Sequence, residues 1–143
     1  MPTRKATAQW SGGLRGGKGS FAAESGAIGG DYSFGSRFEQ AGGSNPEELL
    51  AAAEAACFSM ALAGALEGAG TPAELVETEA RCTIEKGADG FKITTMALKV
   101  RARVPGVDRD AFKDAAEATK DGCPVSKALL GNVTLTVDAQ LMD

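Results

Sequence analysis

From Leu49 to Leu66 the chain reads LLAAAEAACFSMALAGAL, eighteen residues whose only ionisable side chains are one acid, Glu54, and one thiol, Cys57. The segment has a clear helical start: Asn45 can cap, Pro46 suits the first helical position, and Glu48 completes an N-x-x-E capping arrangement. A helix that is apolar on every side has to be buried. The length is also that of a membrane span. Against a span, the segment is rich in Ala and Gly, acids flank both ends, and no basic anchor follows. The expectation is the central helix of a soluble core, shared with a partner subunit.

The remaining composition agrees with one soluble domain covering residues 1–143, with 43% hydrophobic and 24% charged residues. A net charge of −4 and a pI near 4.9 argue against nucleic acid or an anionic membrane as partner. The first residues, MPTRKATAQW, lack the apolar run of a secretory leader, so a cytoplasmic location is expected.

Around the helix the pattern is strand-like. KATAQW, SFAAES and DYSFGSRFE are short apolar runs split by glycine clusters, which predicts an antiparallel meander. GGLRGGKGS approaches a phosphate-binding loop through Gly12, Gly17 and Lys18, but Gly19 stands where a hydroxyl should hold magnesium, and strand follows. It reads as a hairpin turn. Beyond Pro72, Val76, Thr78, Ala80, Cys82 and Ile84 alternate with charged residues, as in a half-buried strand. Met96, Leu98, Val100, Ala102 and Val104 form the inner face of another, with a phase shift near Thr94–Thr95 that suggests a bulge. GADG joins the two as a hairpin. DRDAFKDAAEATK is helical and buries Phe112, Ala115, Ala116 and Thr119; CPVSKALL starts a shorter helix, and NVTLTVDAQL closes as a strand. The order βββ-α-ββ-αα-β is that of an α+β domain.

The chain has no histidine, which removes Ser-His-Asp and Cys-His pairs and imidazole-based zinc sites. Its three cysteines, 57, 82 and 123, show no CxxC spacing, so no metal site and no cofactor are expected. Cys82 lies on the apolar face of its strand and reads as a buried, inert thiol. Cys57 is open to two readings, a small core hydrophobe or a reactive thiol. A thiolate needs a cation, an imidazole or a helix N-terminus. The helix start is about 18 Å away, beyond the reach of the terminal dipole. A guanidinium remains, and Arg37 in SFGSRFE lies where a strand leads toward the helix. In DGCPVSK, Pro124 puts Cys123 at an N-cap facing unpaired amides, which is open to two readings: a cysteine merely tolerated at a helix start, or a position that favours a thiolate and so a competent disulfide partner.

NPEELLAAAEAACFSMAL and CPVSK together resemble the osmotically inducible protein C and organic hydroperoxide resistance family, in its OsmC-like branch; GKGSFAAESG and YSFGSRFE fit the same branch. The resemblance implies an intertwined homodimer with antiparallel sheets around a buried central helix pair. It also implies a two-cysteine peroxidase that takes organic hydroperoxides and is reset by an external thiol or dithiol. Cys57 falls where the family has its peroxidatic cysteine and Cys123 where it has the resolving one. Arg37 matches the arginine that holds the thiolate, and Glu47 the acid that orients that arginine.

Glu47 and Cys57 are ten residues apart on one helix, a rise of about 15 Å, so an acid serving the same site should come from the partner subunit. Leu49, Leu50, Phe58 and Met60 would supply an apolar wall suited to alkyl or aryl groups. One residue departs from the family pattern: Glu54 stands where relatives often have histidine. A carboxylate beside the reactive thiol would slow it, so Glu54 is expected to point into solvent or toward a basic group, or else to weaken catalysis. Two further functions remain open from the sequence, a redox-sensing thiol switch and a non-catalytic dimer that binds an apolar ligand.

Overall fold

The computed structural model describes residues 1–142. The chain divides into two compact units at Leu49/Leu50.

The first unit is the expected meander: β1 (Ala6–Ser11), β2 (Lys18–Ala23) and β3 (Gly29–Tyr32), all antiparallel in that order. The near-match to a phosphate loop is the β1–β2 turn, closed by Gly17 N–H donating to Gly13 O at 2.8 Å. Gly19 is needed for a packing reason. A Cβ there would lie 2.6 Å from the Tyr32 ring and 2.7 Å from the Trp10 ring, two rings whose centroids are 5.4 Å apart.

The strand expected to continue through Arg37 ends at Tyr32 instead. Ser33 and Ser36 form a reciprocal capping box, and a short helix, α1 (Phe34–Phe38), follows. Phe34 and Phe38, one turn apart, meet with ring centroids 4.9 Å apart and planes tilted by 51°. The chain then re-enters through Ser44, whose N–H donates to Asp31 O at 2.9 Å. Asn45 caps α2 (Pro46–Gly68): its Oδ1 accepts from Glu48 N–H at 2.7 Å, while its Nδ2 donates to Ser36 O at 2.9 Å. The Glu48 carboxylate takes the Ser44 hydroxyl, so only one half of the capping box forms.

The second unit is built on β4 (Leu75–Gly87), β5 (Gly90–Arg103) and β6 (Thr134–Leu141). β4 and β5 form a long antiparallel hairpin. Thr83 pairs with Thr95 but Ile84 with Ile93, so Thr94 is the extra residue of the expected bulge. The sheet is mixed rather than wholly antiparallel, because β6 runs parallel to β5. A parallel neighbour needs a crossover, which here is α3 (Arg109–Gly122) followed by α4 (Pro124–Leu129).

Met96, Leu98, Val100 and Ala102 of β5 are buried with Val104 just beyond it, together with Phe112 and Ala116 from α3, Val133 just before β6 and Leu135 within it. α2 contributes Phe58, Leu62 and Leu66, spaced by four and fully or almost fully buried. Within one chain α2 is therefore not buried on every side. Glu54, Phe58, Leu62 and Leu66 form the inner stripe, whereas Ala52, Ala56, Met60 and Gly64 are exposed, Met60 at 81%. By length and composition alone α2 could cross a membrane, but its central acid is hydrogen-bonded within this unit.

Candidate active site

The expected site residues fall into two clusters, one in each unit. In the first, Arg37 on the last turn of α1 meets Glu47 on the first turn of α2. Nε and Nη2 donate to the same carboxylate oxygen, Oε1, at 2.9 and 2.7 Å. The Glu47 side chain is 7% exposed and its Oε2 accepts no hydrogen bond from the described residues, while the guanidinium keeps about a third of its surface. The Arg37 guanidinium also stands 5.2 Å from the centre of the Phe38 ring. The capping box at Ser33–Ser36 and the Asn45 cap fix the ends of the two helices and so orient both partners. A half-exposed cation anchored by a buried acid remains able to face an anion.

In the second unit the structure brings Cys57 and Cys123 together. Cys57 is half-buried on α2, and its thiol is near enough to the buried Cys123 thiol to raise that thiol's pKa. Neither is in a disulfide. Cys123 occupies the hinge between helices. Its N–H closes α3 on Thr119 O at 3.0 Å, and its side chain caps α4, with Sγ accepting Ser126 N–H at 3.4 Å. Pro124 takes the first helical position, as expected.

The cap does not favour a thiolate at Cys123. Burial pushes this thiol up from its ordinary range. The Ser126 hydroxyl and N–H pull it down, but the Cys57 thiol and the Glu54 charge push it further up, and the upward causes prevail. One long amide contact at a six-residue helix is too weak to offset burial and a neighbouring carboxylate.

Glu54 points neither into solvent nor to a base. It is fully buried, and among the described residues it forms no ion pair. Its Oε1 accepts the Ser126 hydroxyl at 2.6 Å and the Cys123 thiol at 3.5 Å, and its Oε2 has no hydrogen-bond partner among the described residues. Ser126 Oγ is also 3.0 Å from Cys123 Sγ, closing a triangle of thiol, hydroxyl and carboxylate. Ser126 is the residue the sequence reading passed over. Its signal was present in CPVS, which places a hydroxyl three residues after the capping sulfur, on the side of the first turn that faces it.

The expected apolar wall changes too. Phe58 is sealed in the core, Leu50 packs against that core, and Met60 is exposed. Leu49 belongs to the first unit, where it lines a small apolar pocket with Ala8, Phe21 and Tyr32. Cys82 is half-buried rather than fully buried as expected, and it packs against the core.

The profile of the family described as OsmC-like protein matches residues 39–138. The chain is 44% identical over 133 residues to the protein named Peroxiredoxin OsmC of Escherichia coli, covering 92% of this chain and 93% of that one. It is 33% identical over 97 residues to an organic hydroperoxide resistance protein of Xanthomonas axonopodis, covering 66% of each. Among solved structures, the organic hydroperoxide resistance protein OhrB of Bacillus subtilis superimposes with a TM-score of 0.76 at 29% identity, over 96% of this chain and 97% of that one. The α+β chain described above belongs to the OsmC-like protein family.

Proposed function

We propose that this protein is a cysteine peroxidase that reduces organic hydroperoxides to alcohols. The observation that carries the reading is the approach of the Cys57 and Cys123 thiols, one partly open to solvent and the other held at a helix start. The names of the relatives, a peroxiredoxin and organic hydroperoxide resistance proteins, support the same chemistry.

In this reading Cys57, as thiolate, attacks the distal peroxide oxygen. The O–O bond breaks, an alkoxide leaves and takes a proton, and Cys57 becomes a sulfenic acid. Arg37, held by Glu47, stabilises the sulfur anion and the charge growing on the leaving oxygen. Cys123 then condenses with the sulfenic acid to give a Cys57–Cys123 disulfide, which a thiol or dithiol reductant reopens. The two sulfurs carry the redox change, so no cofactor is invoked.

The working unit is a cytoplasmic homodimer, each chain a single domain. The exposed apolar stripe of α2, with Ala52, Ala56, Met60 and Gly64, supports pairing with a second copy. Glu47 and Cys57 are about 15 Å apart along one helix, so the arginine–glutamate pair acts on the partner's sulfur.

Rates with an alkyl hydroperoxide and with hydrogen peroxide, measured on wild type, Cys57→Ser and Cys123→Ser with a dithiol present, test the reading. It requires many turnovers, a preference for the organic peroxide, and no turnover without Cys57. A single turnover per subunit would indicate a thiol switch, and none a binding protein.

A further inference from the structure

We propose that Glu54 is the general base of the resolving step, taking the Cys123 proton, directly or through Ser126, as the Cys123 sulfur attacks oxidised Cys57. The proposal rests on the peroxidase reading above and extends it to a residue outside the arginine–glutamate–cysteine set.

The resolving sulfur faces a chemical difficulty in this structure. Attack on a sulfenic acid requires a thiolate, since the neutral thiol is a poor nucleophile. Yet Cys123 is 2% exposed, and its burial holds the proton on. A base must therefore act at the moment of attack. The titratable groups that bear on Cys123 are Cys57 and Glu54, both from α2. Cys57 is the electrophile at that stage, which leaves Glu54.

The geometry fits that task. Glu54 precedes Cys57 by three residues, so acid and nucleophile project from neighbouring positions of one helix toward the start of α4. The hydrogen-bond donors to Glu54 are the resolving thiol at 3.5 Å and the Ser126 hydroxyl at 2.6 Å, and that hydroxyl is itself 3.0 Å from the same sulfur. A purely structural acid in a core would have both oxygens satisfied. Among the described residues Oε2 is buried without a partner, and no cation neutralises the group. The carboxylate is thus placed in direct contact with the proton it would have to take.

The step balances without another reagent. The Cys123 S–H bond breaks and its proton passes to Glu54, or to Ser126 as Ser126 gives its own to Glu54. The sulfur lone pair forms the S–S bond to Cys57 while the Cys57 S–O bond breaks and its electron pair leaves with hydroxide. Glu54 returns the proton, and water departs. The Cys57 sulfur is reduced and the Cys123 sulfur oxidised by the same amount.

The test compares two rates after one equivalent of cumene hydroperoxide is added to the full-length reduced protein. One is peroxide loss; the other is disulfide closure, followed by rapid quenching, alkylation and mass spectrometry. In Glu54→Gln the ratio of closure to peroxide loss should fall about 100-fold. The sulfenic acid should persist long enough to be trapped by a cyclic dione. Closure in Glu54→Gln should also rise about tenfold per pH unit from 6 to 8, as expected when free hydroxide must remove the proton. Glu54→Asp should recover part of the loss, and Ser126→Ala should slow closure less than Glu54→Gln, because the direct thiol–carboxylate contact remains. An unchanged ratio and an unchanged pH profile in Glu54→Gln would overturn the proposal, as would equal slowing of both rates. Should Glu54→Gln not fold, wild-type closure rates in both Glu54→Asp and Ser126→Ala overturn it equally. A wild-type protein that consumes no peroxide removes the peroxidase reading as well; normal consumption with unaltered closure removes this inference alone.

Discussion

Arg37 and Glu47 of one chain are paired through a single carboxylate oxygen, with Nη2 at 2.7 Å and Nε at 2.9 Å. Whichever subunit supplies the acid to a reactive sulfur therefore supplies the guanidinium with it. Mixing a Cys57→Ser chain with an Arg37→Ala/Glu47→Ala chain distinguishes the two arrangements. If the pair serves the partner's sulfur, a mixed dimer has one intact site. A randomly reassociated equal mixture should then recover about a quarter of wild-type activity. If the pair served its own chain, neither site would be intact and the mixture would stay inactive.

The raised Cys123 thiol makes reduced protein stability fall with alkali. The folded chain holds this proton more tightly than the unfolded one, whose thiols titrate near about 8.5. The contribution is fully present below that value and is lost as pH climbs through the higher folded value. Urea unfolding under reducing conditions at pH 7 and pH 10 should show a larger loss for wild type than for Cys123→Ser. Equal losses would show that burial and the Glu54 charge are not felt by this sulfur.

Met60 and Leu62 share α2 but face opposite ways, one 81% exposed and the other fully buried. Leu62→Ala should cost about 2–5 kcal/mol in unfolding experiments, as for other large-to-small core substitutions. Met60→Lys should leave the secondary structure intact yet convert a dimer to monomers in sedimentation experiments. A wild-type monomer, or a Met60→Lys dimer of undiminished affinity, would contradict pairing through this stripe.

Gly19 lies beneath two aromatic rings with no room for a methyl group. Gly19→Ala has to displace Trp10 or Tyr32, and overpacking of this kind costs about 1–3 kcal/mol. A change in tryptophan fluorescence should accompany it. An unaltered emission spectrum and unaltered stability would show that the rings yield freely.

The strands of the second unit were legible because each has one face against the core. Alternation from Val76 to Ile84 and from Met96 to Val104 follows from that, and the slip at Thr94 appears as a break in phase. Alternation reports a face and not a neighbour, so nothing in NVTLTVDAQL told that it would run parallel to β5. The short helix carrying Arg37 was hidden for a local reason. SFGSRFE has strand-forming aromatics, but the Ser33–Ser36 capping box and the Phe34–Phe38 contact outweigh them.

The N-cap position of Cys123 could be read from Pro124 alone. Its pKa could not, because the burial that raises it most, and the acid 69 residues earlier that adds to it, come only from tertiary contacts around the start of α4. For the same reason Glu54 could be recognised as an oddity from its place in the helix, while its partner Ser126 could not.

The account depends on the sulfur at 57 being oxidised first and captured by the sulfur at 123. Peptide mapping by mass spectrometry after one equivalent of an alkyl hydroperoxide is added to reduced protein, without added reductant, reads this directly. The predicted product is a Cys57–Cys123 disulfide in each chain with Cys82 still a thiol, and, in Cys123→Ser, a sulfenic acid on Cys57. Unmodified Cys57, or a disulfide that includes Cys82 in place of Cys123, would contradict it.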